Sequence, residues 1–212
     1  CSDHRVLQNG DIFVAIKGST FDGHGILHKI SDQKPLAVVV EDISFLKNLK
    51  DESFSIPIVQ VTSTRRAFDL LANHWFEKPS EKLFCVGVTG TNGKTTTSNM
   101  IEHVLNKIGL PTGVIGTIDH HLGSKVWTTH LTSPGSFEFH LRLKEFVEAG
   151  AMALSTEVSS HALDQDRMSS CAFDVGIFTN LTLDHLDYHK TMEEYFTAKE
   201  KLFKEVLENS PK

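Results

Sequence analysis

Four separated groups of residues in this 212-residue chain are of types that do chemistry. The first is Gly90-Thr91-Asn92-Gly93-Lys94-Thr95-Thr96. Its glycines let successive backbone N–H groups turn toward an anion, and a lysine and hydroxyls follow. In such a loop the lysine, Lys94, reaches the β- and γ-phosphates of a nucleotide, and the hydroxyl of Thr95 sits on Mg²⁺. The loop is shorter than the strict P-loop, because Val88 stands five residues before Gly93, where that pattern needs glycine. The second group is Glu157, a carboxylate after an apolar run. Mg²⁺ is held by few carboxylates plus substrate phosphates, so one well-placed Glu suffices. The third is Asn180-Leu181-Thr182-Leu183-Asp184-His185-Leu186-Asp187-Tyr188-His189, dense in metal-ligand types but not spaced as a helical H-E-x-x-H site. Asp184 and His185 follow a strand end and read as site residues; His189 reads as a hydrogen-bonding loop histidine. The fourth is Lys199, flanked by Phe196, Ala198 and Leu202. A lysine near an apolar face snorkels to water, but one buried beside a metal has a lowered pKa and becomes reactive.

The surrounding pattern says how these groups are carried. Phe84 to Val88 is an apolar, β-branched run, a buried strand. Apolar residues return at helical spacing after Lys94 (Met100, Ile101, Val104, Leu105), so strand, glycine loop and helix N-terminus form a phosphate cradle. Further strands are predicted at 12–16, 36–40, 56–61, 114–118, 151–154 and 173–178, with a short hairpin strand at 126–127. Helices are predicted at 24–30, 137–149 and 64–75, the last with Ala67, Leu70, Leu71 and His74 as its apolar stripe. Thr191 with Glu194 three residues on is a capping box for a final helix running through Val206. Alternating strands and helices give an α/β fold with a mostly parallel sheet, whose ligands sit at the carboxyl ends of strands. The polar clusters after Val88, Leu154 and Phe178 all fall at such ends. The charged, Pro79-bearing stretch 77–82 reads as a linker, giving a small α/β domain over 1–80 and a P-loop domain over 81–212.

With 40% hydrophobic residues the chain buries a real core. A net charge of -6 speaks against nucleic acid as a partner, since a phosphate-backbone footprint needs clustered lysine and arginine. No apolar run reaches the length of a membrane span. The three cysteines, Cys1, Cys85 and Cys171, form no CxxC pair, which fits a reducing cytoplasm and argues against a zinc ribbon or disulfide framework. A chain that opens on Cys1 rather than Met is expected to lack, or to have had removed, its original start.

Together these stretches resemble a known family. Val86-Gly87-Val88-Thr89-Gly90-Thr91-Asn92-Gly93-Lys94-Thr95-Thr96, Glu157-Val158-Ser159-Ser160-His161-Ala162-Leu163 and Thr179-Asn180-Leu181-Thr182-Leu183-Asp184-His185-Leu186-Asp187-Tyr188-His189 look like the Mur ligases, and more narrowly their MurE type. Lys199-Glu200-Lys201-Leu202-Phe203 and Gly10-Asp11-Ile12-Phe13-Val14-Ala15-Ile16 match it too. The resemblance implies a first domain holding a uridine nucleotide and a central ATPase domain. It also implies a third, amino-acid-binding domain for which this chain has no room, so the fragment is expected to bind nucleotide weakly and not to complete a reaction alone.

The implied reaction is ATP-driven amide formation. A carboxylate of UDP-N-acetylmuramoyl-L-alanyl-D-glutamate becomes an acyl phosphate, and a diamino acid, L-lysine or meso-diaminopimelate, displaces phosphate. By resemblance Gly90 to Thr96 bind ATP, Glu157 and His185 serve Mg²⁺, and Lys199 matches the lysine the family carbamylates into an anionic metal ligand. Thr132 and Ser133 match a motif contacting the UDP-sugar peptide, as do Ser159, Gln165 and Arg167. Ser19, Thr20 and Phe21 fall where the family holds the nucleotide, and His4 stands where it usually has serine. The enzyme is expected to be a cytoplasmic monomer acting on small molecules, away from membranes. The alternatives are a non-catalytic UDP-sugar-binding module, another superfamily ligase such as a folylpolyglutamate synthetase, and a metal hydrolase built on Asp184, His185 and His189.

Overall fold

The computed structural model describes residues 1–18, 21–44, 56–128 and 132–212. Ser19 and Thr20, expected at a nucleotide, lie outside the described residues. The chain divides into two compact units, Cys1–Phe68 and Asp69–Lys212.

In the first unit, β1 (Ile12–Val14), β2 (Ala37–Val40) and β3 (Ile58–Gln60) form a parallel sheet in that order. Phe13, Leu27, Ile30, Val38 and Val40 fill its core. The helix expected at 24–30 is a 3-10 helix, Gly23–Lys29, whose start is capped by the Asp22 carboxylate accepting the His24 N–H at 3.0 Å.

The second unit holds β4 (Phe84–Thr89), α2 (Lys94–Lys107), β5 (Thr112–Ile115), β6 (His120–Leu122), β7 (Lys125–Trp127), α3 (Ser136–Glu148), β8 (Ala153–Glu157), α4 (Ser160–Asp164), β9 (Val175–Phe178), α5 (Leu186–His189) and α6 (Met192–Lys201). Six strands form one sheet in the order β7-β6-β5-β8-β4-β9. β5, β8, β4 and β9 are parallel; β6 and β7 return antiparallel as a hairpin. The α3 residues Phe139, Leu143 and Phe146 are fully buried, at the positions their 3.6-residue spacing predicts. α6 starts as the capping pattern requires, with Thr191 Oγ1 accepting the Glu194 N–H at 3.1 Å, and continues as a π-helical stretch, Leu202–Leu207.

Two expectations are corrected. In α1 (Thr64–Trp75) the expected stripe faces outward in part: Leu70 is 48% and Leu71 39% exposed, while Asp69 and Asn73 are buried. Hydrogen bonds decide this phase. The Asp69 carboxylate accepts the Ser170 N–H at 2.7 Å and the Ser169 hydroxyl at 3.1 Å and pairs with His140 Nε2 at 2.9 Å, and Asn73 donates to the Ser170 carbonyl at 3.0 Å. The stretch read as a linker lies inside the second unit, where Pro79–Lys82 is a 3-10 turn with Pro79 and Ser80 buried.

Candidate active site at the carboxyl rim of the sheet

β8, β4 and β9 are neighbours, and their registers end level. Val88 lies beside Glu157, and Thr89 beside Phe178. The glycine loop, Glu157 and the Thr179–Thr182 segment therefore leave the sheet at one rim. That segment locks the loop. Asn180 accepts the Thr91 N–H on its backbone oxygen at 2.9 Å and the Asn92 N–H on Oδ1 at 3.0 Å, and the Thr179 hydroxyl donates to the Asn92 carbonyl at 2.7 Å. Gly90 has φ +141°, and a Cβ there would overlap Thr179 Oγ1, so only glycine fits. Gly93, at φ +85°, turns the chain into α2.

Two lysines converge inside the loop. Lys94 Nζ donates to the carbonyls of Gly90 and Thr91, each at 2.8 Å. Lys199 Nζ donates to the same Gly90 oxygen at 2.8 Å and lies 4.4 Å from the centre of the Tyr195 ring. Lys199 is 1% exposed, so it does not snorkel. Burial first, then repulsion from Lys94, push it down to about 7 against the pull of Asp184. Burial also lowers Lys94, with Glu157 and Asp184 opposing.

Glu157, 1% exposed, takes three donors. Oε1 accepts the Thr95 hydroxyl and the Thr117 N–H, both at 2.9 Å, and Oε2 accepts the Thr117 hydroxyl at 3.0 Å. A buried carboxylate beside a hydroxyl, with the Lys94 and Lys199 nitrogens gathered at the neighbouring Gly90 carbonyl, offers the hard oxygens and N–H donors that suit Mg²⁺ and a triphosphate.

The expected sugar-peptide residues form one connected network. The Thr117 hydroxyl also reaches Thr132 Oγ1 at 3.1 Å. Ser133 Oγ donates to the Glu157 carbonyl and accepts the Ser159 N–H, both at 3.0 Å. Arg167 donates to the Ser133 carbonyl at 2.9 Å and, through Nη2, to Gln165 Oε1 at 2.7 Å. His185 is exposed, with φ +53°, at the start of α5. Its ring lies 5.1 Å from that of His161 and 5.8 Å from Tyr195, which joins it to the lysine pair. His189 is buried, with Nε2 at 2.9 Å from Ser160 Oγ, the hydrogen-bonding role its loop position suggested. Among the described residues no group of three His, Cys, Asp or Glu converges as a metal site. His4 and Phe21 are in the first unit, their rings stacked at 6.1 Å.

Sequence reasoning did not single out Thr117, Asn180 or Tyr195. Thr117 was hidden because 114–118 reads as one strand, whereas β5 stops at Ile115 and Gly116 turns. Asn180, directly after a strand end, carried the same positional signal as Glu157.

The model of the Mur ligase middle domain matches residues 88–211. The chain belongs to the Mur ligase family. Among relatives of this Mur ligase chain, the UDP-N-acetylmuramoyl-L-alanyl-D-glutamate–2,6-diaminopimelate ligase of Aquifex aeolicus is 46% identical over 95% of this chain and 40% of its own length. A solved structure of a UDP-N-acetylmuramoyl-L-alanyl-D-glutamate–2,6-diaminopimelate ligase superposes with a TM-score of 0.77 at 25% identity, over 97% of this chain and 40% of that one. The MurF ligase of Thermotoga maritima in complex with ADP superposes with a TM-score of 0.57 at 25% identity, over 99% and 44%. The chain thus spans about two fifths of the length of the curated relatives it matches. No helix among the described residues is long and apolar enough to cross a membrane.

Proposed function

We propose that this chain is the nucleotide-handling part of a cytoplasmic, ATP-dependent ligase that adds 2,6-diaminopimelate to UDP-N-acetylmuramoyl-L-alanyl-D-glutamate in peptidoglycan precursor synthesis. The observation that carries this is the pair of lysines sharing the Gly90 carbonyl beside the Thr95–Glu157 contact. Lys94 and the N–H groups at the start of α2 bind the phosphates. Thr95, Glu157, His185 and, once carbamylated, Lys199 would hold Mg²⁺, which when bound neutralises charge on phosphate oxygens. Lys199 suits that modification because burial and Lys94 push it down to about 7, so a large share of its amine is neutral near that pH and able to take up CO₂. Thr132, Ser133, Ser159, Gln165 and Arg167 orient the UDP-sugar peptide so that its carboxylate meets the γ-phosphate in line. The first unit, with His4, Ser19, Thr20 and Phe21, holds the uridine nucleotide. Diaminopimelate is chosen over lysine on the names of the relatives.

Calorimetric titration with ATP tests the core of this. Lys94→Met should weaken ATP binding about tenfold or more, since a charge-assisted phosphate contact contributes about 1.5 kcal/mol or more. ATP affinity equal to that of the unmodified chain would refute the assignment.

A further inference from the structure

The turn between β5 and β6 has a construction that binding of phosphate does not explain. Gly116 brings the backbone against Glu157, and a Cβ there would come 2.5 Å from Oε1. That approach lets Thr117 place two donors on the carboxylate, one on each oxygen. The turn is closed by the Gly116 N–H donating to the Asp119 carbonyl at 3.2 Å. His121 then fixes the turn from outside. Its Nδ1 lies 2.6 Å from Asp119 Oδ1 and its Nε2 3.2 Å from Glu102 Oε2. Glu102 is on α2, seven residues after Thr95, and two helical turns put both on one face. Thr95, Asp119, His121 and Glu157 line one cavity of about 230 Å³.

We propose that His121 is a positioning residue that ties the phosphate-loop helix to the turn aiming Glu157, and so sets the metal-binding geometry. With a carboxylate oxygen facing each ring nitrogen, the protonated imidazole can donate to both. Burial opposes that charge, but the hydrogen bonds of Asp119 and Glu102 outweigh it and raise the pKa. Thr95 and Thr117 both bond Oε1 of Glu157, one from each side of the tie. A slack tie lets these donors part and frees the carboxylate to rotate. The role in metal binding rests on the nucleotide site proposed above.

The test uses the full chain and His121→Phe, which keeps a ring and removes both nitrogens, together with the milder Glu102→Gln. Amide hydrogen exchange of Thr117 is measured without ligand; ATP affinity is measured in EDTA, and Mn²⁺ affinity in the presence of ATP. His121→Phe should lower Thr117 protection and weaken Mn²⁺ binding about tenfold, with Mg-free ATP affinity within about twofold, because supporting residues typically change metal affinity about 10-fold or more. Glu102→Gln should shift both in the same direction by about half as much on a logarithmic scale. Unchanged Thr117 protection or Mn²⁺ affinity in a folded variant overturns the proposal, as does an equal loss of ATP affinity in EDTA. If the unmodified chain binds no ATP at all, the nucleotide assignment fails, and Thr117 protection still decides whether His121 holds the turn.

Discussion

Lys199 offers the sharpest quantitative test. It titrates at about 7 in the folded protein, against 10.5 for an ordinary lysine. Between those values the unfolded chain carries a proton that the folded chain does not, so stability rises with pH. Below about pH 7 both states are protonated and the slope vanishes. Integrated, the effect is about 2 kcal/mol gained from pH 7 to 9 and only about 0.3 kcal/mol from pH 6 to 7. Lys199→Met removes the titrating group while nearly keeping its volume. Urea unfolding of both proteins at pH 6, 7, 8 and 9, in CO₂-free buffer, gives the difference curve. The unmodified chain should gain on the variant by about 2 kcal/mol across the upper interval and stay level across the lower. A difference flat from pH 7 to 9 would mean that Lys199 remains charged in the fold, and would refute the neutral-amine argument for its reactivity.

Gly90→Ala should destabilise by about 3 kcal/mol in urea unfolding and abolish ATP binding, because a Cβ meets Thr179 at a positive φ. Asp69→Ala strips the partner from two serines and His140 and should cost about 3 kcal/mol or more in the same assay. Trp127 packs edge-on against Phe146 at 5.5 Å, and Lys125 and Arg142 each lie over its ring, at 4.5 and 4.6 Å. Trp127→Ala should cost about 2 kcal/mol and remove most of the blue-shifted fluorescence, since the other tryptophan, Trp75, is 77% exposed.

What was legible in the sequence was local and periodic. Phe84 to Thr96 declared its strand, loop and helix because β-branching, glycines and helical spacing are neighbours along the chain. α3 and the cap at Thr191 were legible for the same reason. The α/β class, confirmed by the six-stranded sheet, followed from alternation of elements. The phase of α1 was not legible, because Asp69 and Asn73 are buried by serines about a hundred residues away. The segment 77–82 looked like a linker by composition, yet Ser80 is buried and its Oγ accepts the Ala172 N–H at 3.0 Å, from ninety-two residues away. At the site, the residue types at Lys94, Glu157 and Lys199 marked candidates. Their burial and the donors on Glu157 belong to the rim where three strands end, and Thr117 entered only when β5 proved shorter than its apolar run.

The Gly90 carbonyl has a consequence for how the rim is filled. Both lysine nitrogens already donate to one peptide oxygen, so neither amine stands without an acceptor. In the proposed nucleotide role, a phosphoryl oxygen reaching Lys94 would compete with that carbonyl for the same N–H donors. Affinity for the anion would then reflect the difference between two acceptors, not the full strength of a lysine–phosphate contact.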